Sequence, residues 1–129
     1  MPMKRIIALL SFLLVLCMCF CSCAKPQDGD ASETVVDLSI ASYHTEKELT
    51  DASDFVRAVF RGYTDCTLKT LTLVDDNENS ITFKGEIDTG RFSDRYDGFE
   101  KNSTIDEWYW KMVFIDGEWE MLDWGYSVK

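Results

Sequence analysis

Four cysteines near the start of the chain are the first residues that could bind a metal. They occupy every second position from 17 to 23. Such a run offers the sulfur ligands that zinc prefers. However, Lys4 and Arg5 precede an uncharged apolar stretch, residues 6–20, and this is the pattern of a secretory signal peptide. Because the first three cysteines would be removed with that signal, no metal site is predicted from them.

The fourth cysteine, Cys23, follows a small residue, Ser22, just after the apolar stretch. This arrangement resembles the lipobox that lipoprotein signal peptidase reads. The resemblance implies cleavage between Ser22 and Cys23 and a diacylglycerol on the Cys23 thiol. An uncleaved apolar anchor is the alternative, although a spanning helix needs ~20 apolar residues and this stretch is shorter. Either anchor places the domain on the extracytoplasmic face of the cell membrane.

Outside this leader, His44 is the single histidine and Cys66 is the one further cysteine. An imidazole beside a thiol is the smallest nucleophile–base pair. Here His44 precedes a predicted helix and Cys66 follows it, so the rise of 1.5 Å per residue separates them by roughly 25 Å. We therefore predict a small buried thiol at Cys66, no catalytic residue and no enzymatic activity.

A second candidate for chemistry is an acidic turn that matches a calcium-binding loop in part. Its oxygen ligands would be Asp75, Asn77, Asn79 and Glu86, the spacing of a loop closed by a bidentate glutamate. Ser80 replaces the glycine that permits the sharp turn, and the residues after it alternate as in a strand. A solvated hairpin turn is therefore the favoured interpretation, and neither a metal nor another cofactor is predicted.

The elements that position these residues follow from the periodicity of apolar side chains. From Thr45 onward the sequence has a helical period, and the predicted stripe is Leu49, Ala52, Val56, Val59, Phe60 and Tyr63. Thr45 with Glu48 would form a capping box at the start, although Thr50 is a second candidate start. Gly62 would end the helix in a left-handed conformation.

Strands are predicted on both sides of this helix. Residues 36–40, 67–74 and 81–88 have strand-like composition or alternation, and residues 89–102 are predicted to be a long loop. Two strands, 108–115 and 118–126, flank a predicted type I′ turn at Asp116-Gly117. The expected fold class is α+β, with one long N-terminal helix packed on a curved antiparallel sheet of four to five strands, as in cystatin-like or small NTF2-like folds.

The turn also predicts the register of the last two strands. Phe114 faces Trp119 on the core side, and Tyr109 faces Trp124 on the other side. We therefore predict Tyr109, Trp124 and Tyr126 as a candidate binding face, because aromatic side chains with polar tips are favoured in such surfaces. Coverage of the same residues by the 89–102 loop is the alternative, and it is the favoured one of the two.

Composition limits the partners. We divide the chain into a signal peptide (1–22), a lipidated cysteine with a flexible spacer (23–34) and a single α+β domain (35–129). Without the signal, 11 basic residues stand against 23 acidic ones, a net charge of −12. A surface this acidic repels phosphate backbones, which excludes nucleic acid as a partner. The domain is expected to be a monomer.

Several short motifs resemble those of a known group of proteins. They are Cys66-Thr67-Leu68, Asn102-Ser103-Thr104, Trp108-x-Trp110, Asp116-Gly117-x-Trp119 and Asp123-Trp124-Gly125-Tyr126. Together they resemble a family of secreted or lipid-anchored proteins of Gram-positive bacteria whose domain has no assigned function. The resemblance supports an extracytoplasmic lipoprotein and carries over no site residue.

The resulting expectation is a membrane-anchored, non-enzymatic binding or interaction module, with an envelope protein or a small molecule as its ligand. The alternative is an NTF2-like protein with a small-molecule pocket between helix and sheet, or an enzyme that uses such a pocket. A structural envelope component without a discrete site is the third possibility.

Overall fold

The computed structural model describes residues 25–95 and 98–129. The predicted signal peptide and Cys23 lie outside the described residues. Within these two ranges, no helix has both the length and the apolar character needed to cross a bilayer.

The described part of the chain forms one α-helix and five strands, which confirms the α+β class. They are β1 (Val35–Asp37), α1 (Glu46–Val59), β2 (Cys66–Asp76), β3 (Ile81–Thr89), β4 (Thr104–Ile115) and β5 (Glu118–Gly125). Short 3₁₀ turns follow α1 at Phe60–Gly62 and follow β3 at Ser93–Arg95. The strands lie side by side in chain order.

Two parts of the predicted architecture are wrong. The helix is not N-terminal, because β1 precedes it. The sheet is mixed, because β1 runs parallel to β2 and every later pair is antiparallel. The reason is that α1 carries the chain back along the sheet, so that β2 starts from the same end as β1, as a crossover between parallel strands requires.

Local signals at the helix start decide where α1 begins. The Thr45 hydroxyl accepts a hydrogen bond from the Glu48 N–H (3.1 Å), and the Glu48 carboxylate accepts one from the Thr45 N–H (3.0 Å), which confirms the capping box. The predicted helix stop at Gly62 is wrong. The helix instead tightens into the 3₁₀ turn, and Asp65 takes the left-handed conformation, with φ of 60°.

The core lies between α1 and one face of the sheet. It includes the predicted stripe except for Val59, which is 39% exposed. The sheet contributes buried Leu, Ile, Phe, Met and Trp side chains: Leu68, Leu71, Leu73, Ile81, Phe83, Ile87, Trp108, Trp110 and Met112. Gly85 is required at its position, because an added Cβ would lie 2.6 Å from the Trp110 ring.

The segment predicted as a flexible spacer is largely part of the domain. Gln27 accepts a hydrogen bond from the Asp65 N–H (2.8 Å), and the Gly29 N–H donates to the Arg61 carbonyl (3.0 Å). Gly29 is buried so closely that an added Cβ would stand 1.9 Å from the Phe60 carbonyl oxygen. The spacer prediction is therefore wrong from residue 27 onward, because backbone pairing with the end of the helix, which is invisible to composition, holds this polar stretch in place.

Candidate functional site

The predicted aromatic face is not formed as expected, because a β-bulge interrupts the last hairpin. Near the turn the predicted register is confirmed, with Phe114 opposite Trp119. At Leu122 the register shifts, so that Trp124 lies opposite Trp110. An extra residue in one strand moves each later side chain of that strand to the opposite face of the sheet. Trp124 therefore shares the side of Trp110, away from Tyr109.

The other two residues of that face remain close together. Tyr109 and Tyr126 line one open cleft of about 320 Å³ with Val74 and Thr82. The Tyr126 ring also meets the buried Trp108 edge to face at 4.9 Å, although 62% of its surface is exposed. The structure thus brings Tyr109 and Tyr126 together and leaves out Trp124, which is half exposed elsewhere.

The partial calcium loop is a hairpin turn, and its fourth ligand is far away. The Asp75 carboxylate accepts a hydrogen bond from the side-chain NH₂ of Asn77 (2.8 Å), while the side-chain oxygen of Asn77 accepts one from the backbone N–H of Asn79 (3.0 Å). Glu86 lies five residues into β3, opposite Thr70 on β2. The structure therefore does not bring Glu86 to the turn.

The two halves of the thiol–imidazole pair lie at opposite ends of β2. Cys66 begins that strand, while His44 lies beside Asp76 at its last residue, a separation of roughly 33 Å at ~3.3 Å per residue. Burial, together with the neighbouring Asp65, raises the pKa of the Cys66 thiol to about 11. A neutral thiol at this distance from the imidazole does not form a nucleophile–base pair.

A polar cluster that sequence reasoning missed lies at the start of α1. Nδ1 of His44 is 2.6 Å from Oδ1 of Asp76, and the Asp76 side chain is fully buried. The same carboxylate accepts hydrogen bonds from the N–H groups of Ser42 (2.8 Å), Tyr43 (2.8 Å) and His44 (3.1 Å). One carboxylate on β2 therefore fixes the loop that leads into the helix.

These contacts explain the charge state of Asp76. Burial raises the pKa of this carboxyl, but the hydrogen bonds from the His44 ring and from the three backbone N–H groups lower it more, to about 2. Hydrogen bonds to a charged carboxylate favour the ionised form. Asp76 is accordingly an anion at neutral pH, and the His44 ring donates to it.

The cluster holds an aromatic wall in place. The His44 ring packs against Trp119 (5.1 Å between centroids) and Phe114 (6.1 Å) of the last hairpin. The Trp119 indole N–H donates to the Glu48 carbonyl in the first turn of α1 (2.8 Å). The start of the helix and the β4–β5 turn are thereby fixed against each other.

Between them lies an open groove, which we call the helix–hairpin groove. It has a volume of about 440 Å³ and is lined by Lys47, Glu48, Asp51 and Phe55 of α1 and by Phe114, Gly117, Glu118 and Trp119 of the hairpin. Phe55 and Phe114 are each 36% exposed. The rings form an apolar floor, and carboxylates outnumber the single lysine around it.

Sequence reasoning found only part of this groove. It placed Phe114 opposite Trp119 but gave no role to Phe55, which lies beside the buried stripe of α1. The signal was present as an apolar residue at the margin of the stripe. Which neighbour it faces depends on the packing of the helix against a distant hairpin. Comparison with protein-family models, with curated proteins and with solved structures found no match to this chain.

Proposed function

We propose that this chain is a lipid-anchored, extracytoplasmic and non-enzymatic binding module, monomeric and held on the cell membrane through Cys23. We further propose that its helix–hairpin groove binds a cationic, aromatic-containing segment of another envelope protein. The observation that carries the second proposal is a pair of partly exposed phenylalanine rings, Phe55 and Phe114, on the floor of a groove with a rigid and acidic rim.

Rigidity supports a binding role for the groove. The Asp76–His44 cluster and the Trp119–Glu48 hydrogen bond fix both of its walls before any ligand arrives. A preformed surface loses little conformational entropy on binding, and this raises affinity for a given contact area. Exposed aromatic rings surrounded by polar groups are the usual centre of protein-recognition sites.

Charge indicates the chemistry of the partner. Glu48, Asp51 and Glu118 line the groove against Lys47, whose ammonium already contacts the Asp51 carboxylate at 3.0 Å. Opposite charges across an interface speed association and exclude wrong partners. A lysine- or arginine-rich segment with aromatic residues matches both the rim and the floor.

A filled interior favours this proposal over an internal small-molecule pocket. The space between α1 and the sheet is occupied by fully buried side chains that include Phe60, Trp108 and Trp110. Of the two fold types expected from the sequence, we therefore propose the cystatin-like one, in which the sheet wraps a helix without an internal cavity. Membership of the Gram-positive lipoprotein family remains part of the same proposal.

The lipid anchor is tested by removing the thiol that would carry it. Cys23→Ala should abolish incorporation of labelled palmitate into the protein and block processing or release the protein from membranes, because the thiol is the site of acylation. Cys21→Ala, within the signal, is the matched control and should leave labelling unchanged. Palmitate incorporation into Cys23→Ala at the mature size would show that the lipobox assignment is wrong.

The groove is tested with a peptide of alternating lysine and phenylalanine that carries a fluorophore. Fluorescence anisotropy should detect its binding, and Phe55→Ala should weaken it by about tenfold, the loss of ~1.4 kcal/mol expected from one partly buried ring. Binding should also weaken as salt is raised, since the charges on the rim are exposed.

Two controls separate the groove from general acidity. Tyr109→Ala, on the other face of the sheet, should leave the affinity unchanged, and a glutamate–phenylalanine peptide should not bind. If Phe55→Ala and Tyr109→Ala weaken peptide binding equally, with both variants folded, the peptide does not bind specifically in the groove.

A further inference from the structure

We propose that the domain sits directly against the bilayer, with the end where residues 27–30 meet the end of the helix facing the lipid headgroups. This inference rests on the proposed lipidation of Cys23. We call that end the anchor end; it comprises residues 25–30, 61–65 and 90–101 as far as the structure describes them. The partner is the headgroup surface itself.

The number of residues between the lipid and the first backbone hydrogen bond of the domain carries the inference. Only three residues, 24–26, separate Cys23 from Gln27, whose carbonyl already accepts the Asp65 N–H at 2.8 Å. Four residue steps of fully extended chain span at most roughly 14 Å. A lipid on Cys23 therefore holds the anchor end within that distance of the bilayer interface.

The chain beyond Gln27 gives no additional reach. Asp30 is paired on both sides, since its N–H donates to the Cys66 carbonyl (2.9 Å) and its carbonyl accepts the Leu68 N–H (2.9 Å). Gly29 lies between these contacts, and only a residue without a Cβ fits against the Phe60 carbonyl there. Lengthening the tether would require breaking these hydrogen bonds and exposing the buried glycine.

The charges of the two ends of the domain agree with this orientation. At the opposite end, around the groove and the β2–β3 turn, carboxylates strongly outnumber described amines: Lys47 and Lys111 stand against Glu46, Glu48, Asp51, Asp75, Asp76, Glu78, Asp116, Glu118, Glu120 and Asp123. At the anchor end the described charges nearly balance: Lys25, Arg61, Arg91 and Lys101 against Asp28, Asp30, Asp65, Asp94 and Glu100. Anionic headgroups repel the first end much more strongly than the second.

The orientation has a consequence for the groove. Strand β2 runs from the anchor end at Cys66 to the groove end at Asp76, a length of roughly 33 Å at ~3.3 Å per residue. The groove is thereby held about one domain length above the membrane and faces away from it. A partner in the cell wall or on a neighbouring envelope protein would reach it without displacing the domain.

The accessibility of introduced cysteines on intact membranes tests whether the anchor end lies against the bilayer, an arrangement that we call the seating. The full chain is expressed with Cys66→Ser, and either Arg61→Cys at the anchor end or Glu78→Cys at the groove end is added; both positions are exposed. Protoplasts are treated with a maleimide-coupled polyethylene glycol. Labelling at position 61 should be several-fold slower than at position 78, and the two rates should become equal in detergent. A flexible linker of ~10 residues after Pro26, with a reach of roughly 18 Å, should restore labelling at position 61.

Each other outcome counts against the proposal in a distinct way. Equal labelling at the two positions, with labelled palmitate on the protein, overturns the seating and leaves the anchor intact. Slow labelling at position 61 that persists in detergent or with the linker shows that the protein itself blocks the site, and this also overturns the seating. If Cys23 carries no palmitate, both the anchor and the seating are wrong.

Discussion

Asp76→Ala should lower the free energy of unfolding by about 3–5 kcal/mol, because the change removes one partner of a buried, charged hydrogen-bond cluster. Three backbone N–H groups and the His44 ring would lose their common acceptor. The loop before α1 would then keep the capping box, the packing of the His44 ring on Trp119 and the hydrogen bond from the Ser42 hydroxyl to the Asp76 backbone carbonyl (3.1 Å). Urea denaturation followed by tryptophan fluorescence measures the loss.

Asp75→Ala is the matched control for this variant. Asp75 is the preceding residue on β2, but it is exposed, and its carboxylate accepts a hydrogen bond from the side-chain amide of Asn77, two residues away. Substitution at such a surface position should change stability by less than about 1 kcal/mol. Similar urea midpoints for the two variants would show that the Asp76 carboxylate does not hold the loop.

The dependence of the free energy of unfolding on pH below neutrality gives a second test of the same cluster. The pKa of Asp76 is about 2 in the folded protein and ~3.9 for an unfolded aspartate, so the folded state binds the proton less tightly. The stabilisation is complete above about pH 4 and is lost as the pH falls through 2; its size is about 2–3 kcal/mol. The difference in stability between the native protein and Asp76→Ala should therefore shrink between pH 4 and pH 2. A constant difference would contradict the depressed pKa.

Features encoded by neighbouring residues could be predicted from the sequence. The Thr45–Glu48 capping box and the Asp116-Gly117 turn are both built from side-chain types and backbone preferences within four positions. The φ values of 53° and 81° at Asp116 and Gly117 are those a type I′ turn requires. The turn type also predicted correctly which residues of β4 and β5 lie opposite each other near the turn.

Features that depend on distant contacts could not be predicted. The bulge at Leu122 leaves no local signal, yet it reverses Trp124 to the other face of the sheet. The polar composition of residues 27–34 is typical of a flexible tether, and pairing with the end of the helix and with the start of β2 orders it. Asp76 looked like one carboxylate among many, and its role arises from a loop more than thirty residues earlier.

The aromatic core contains a second polar cluster, which the alternation of tryptophans predicted only as apolar packing. The hydroxyl of Tyr63 accepts hydrogen bonds from two indoles, Nε1 of Trp108 at 3.2 Å and Nε1 of Trp110 at 3.1 Å. All three side chains are buried. Trp108 and Trp110 are on the same face of β4, two residues apart, so one phenol at the end of the helix satisfies both of them.

Tyr63→Phe should therefore cost much more than the loss of one oxygen atom suggests. Two buried indole N–H groups would lose their acceptor, and an unsatisfied buried donor costs ~1–3 kcal/mol, so we expect a loss of about 2–4 kcal/mol in urea denaturation. Tyr43→Phe is the control, because that side chain is 58% exposed, and it should change stability by less than about 0.5 kcal/mol.

A double-mutant cycle separates this hydrogen-bond effect from a loss of packing. Trp110→Phe removes one of the two donors, so adding Tyr63→Phe to that variant leaves one unsatisfied indole instead of two. The second substitution should then cost about 1–2 kcal/mol less than it does in the native protein. Because Tyr63→Phe keeps the ring, equal costs in the two backgrounds would mean that the hydroxyl does not act through its hydrogen bond with Trp110. The shared acceptor explains why a tyrosine, and not a phenylalanine, stands where the helix meets the Trp-rich hairpin.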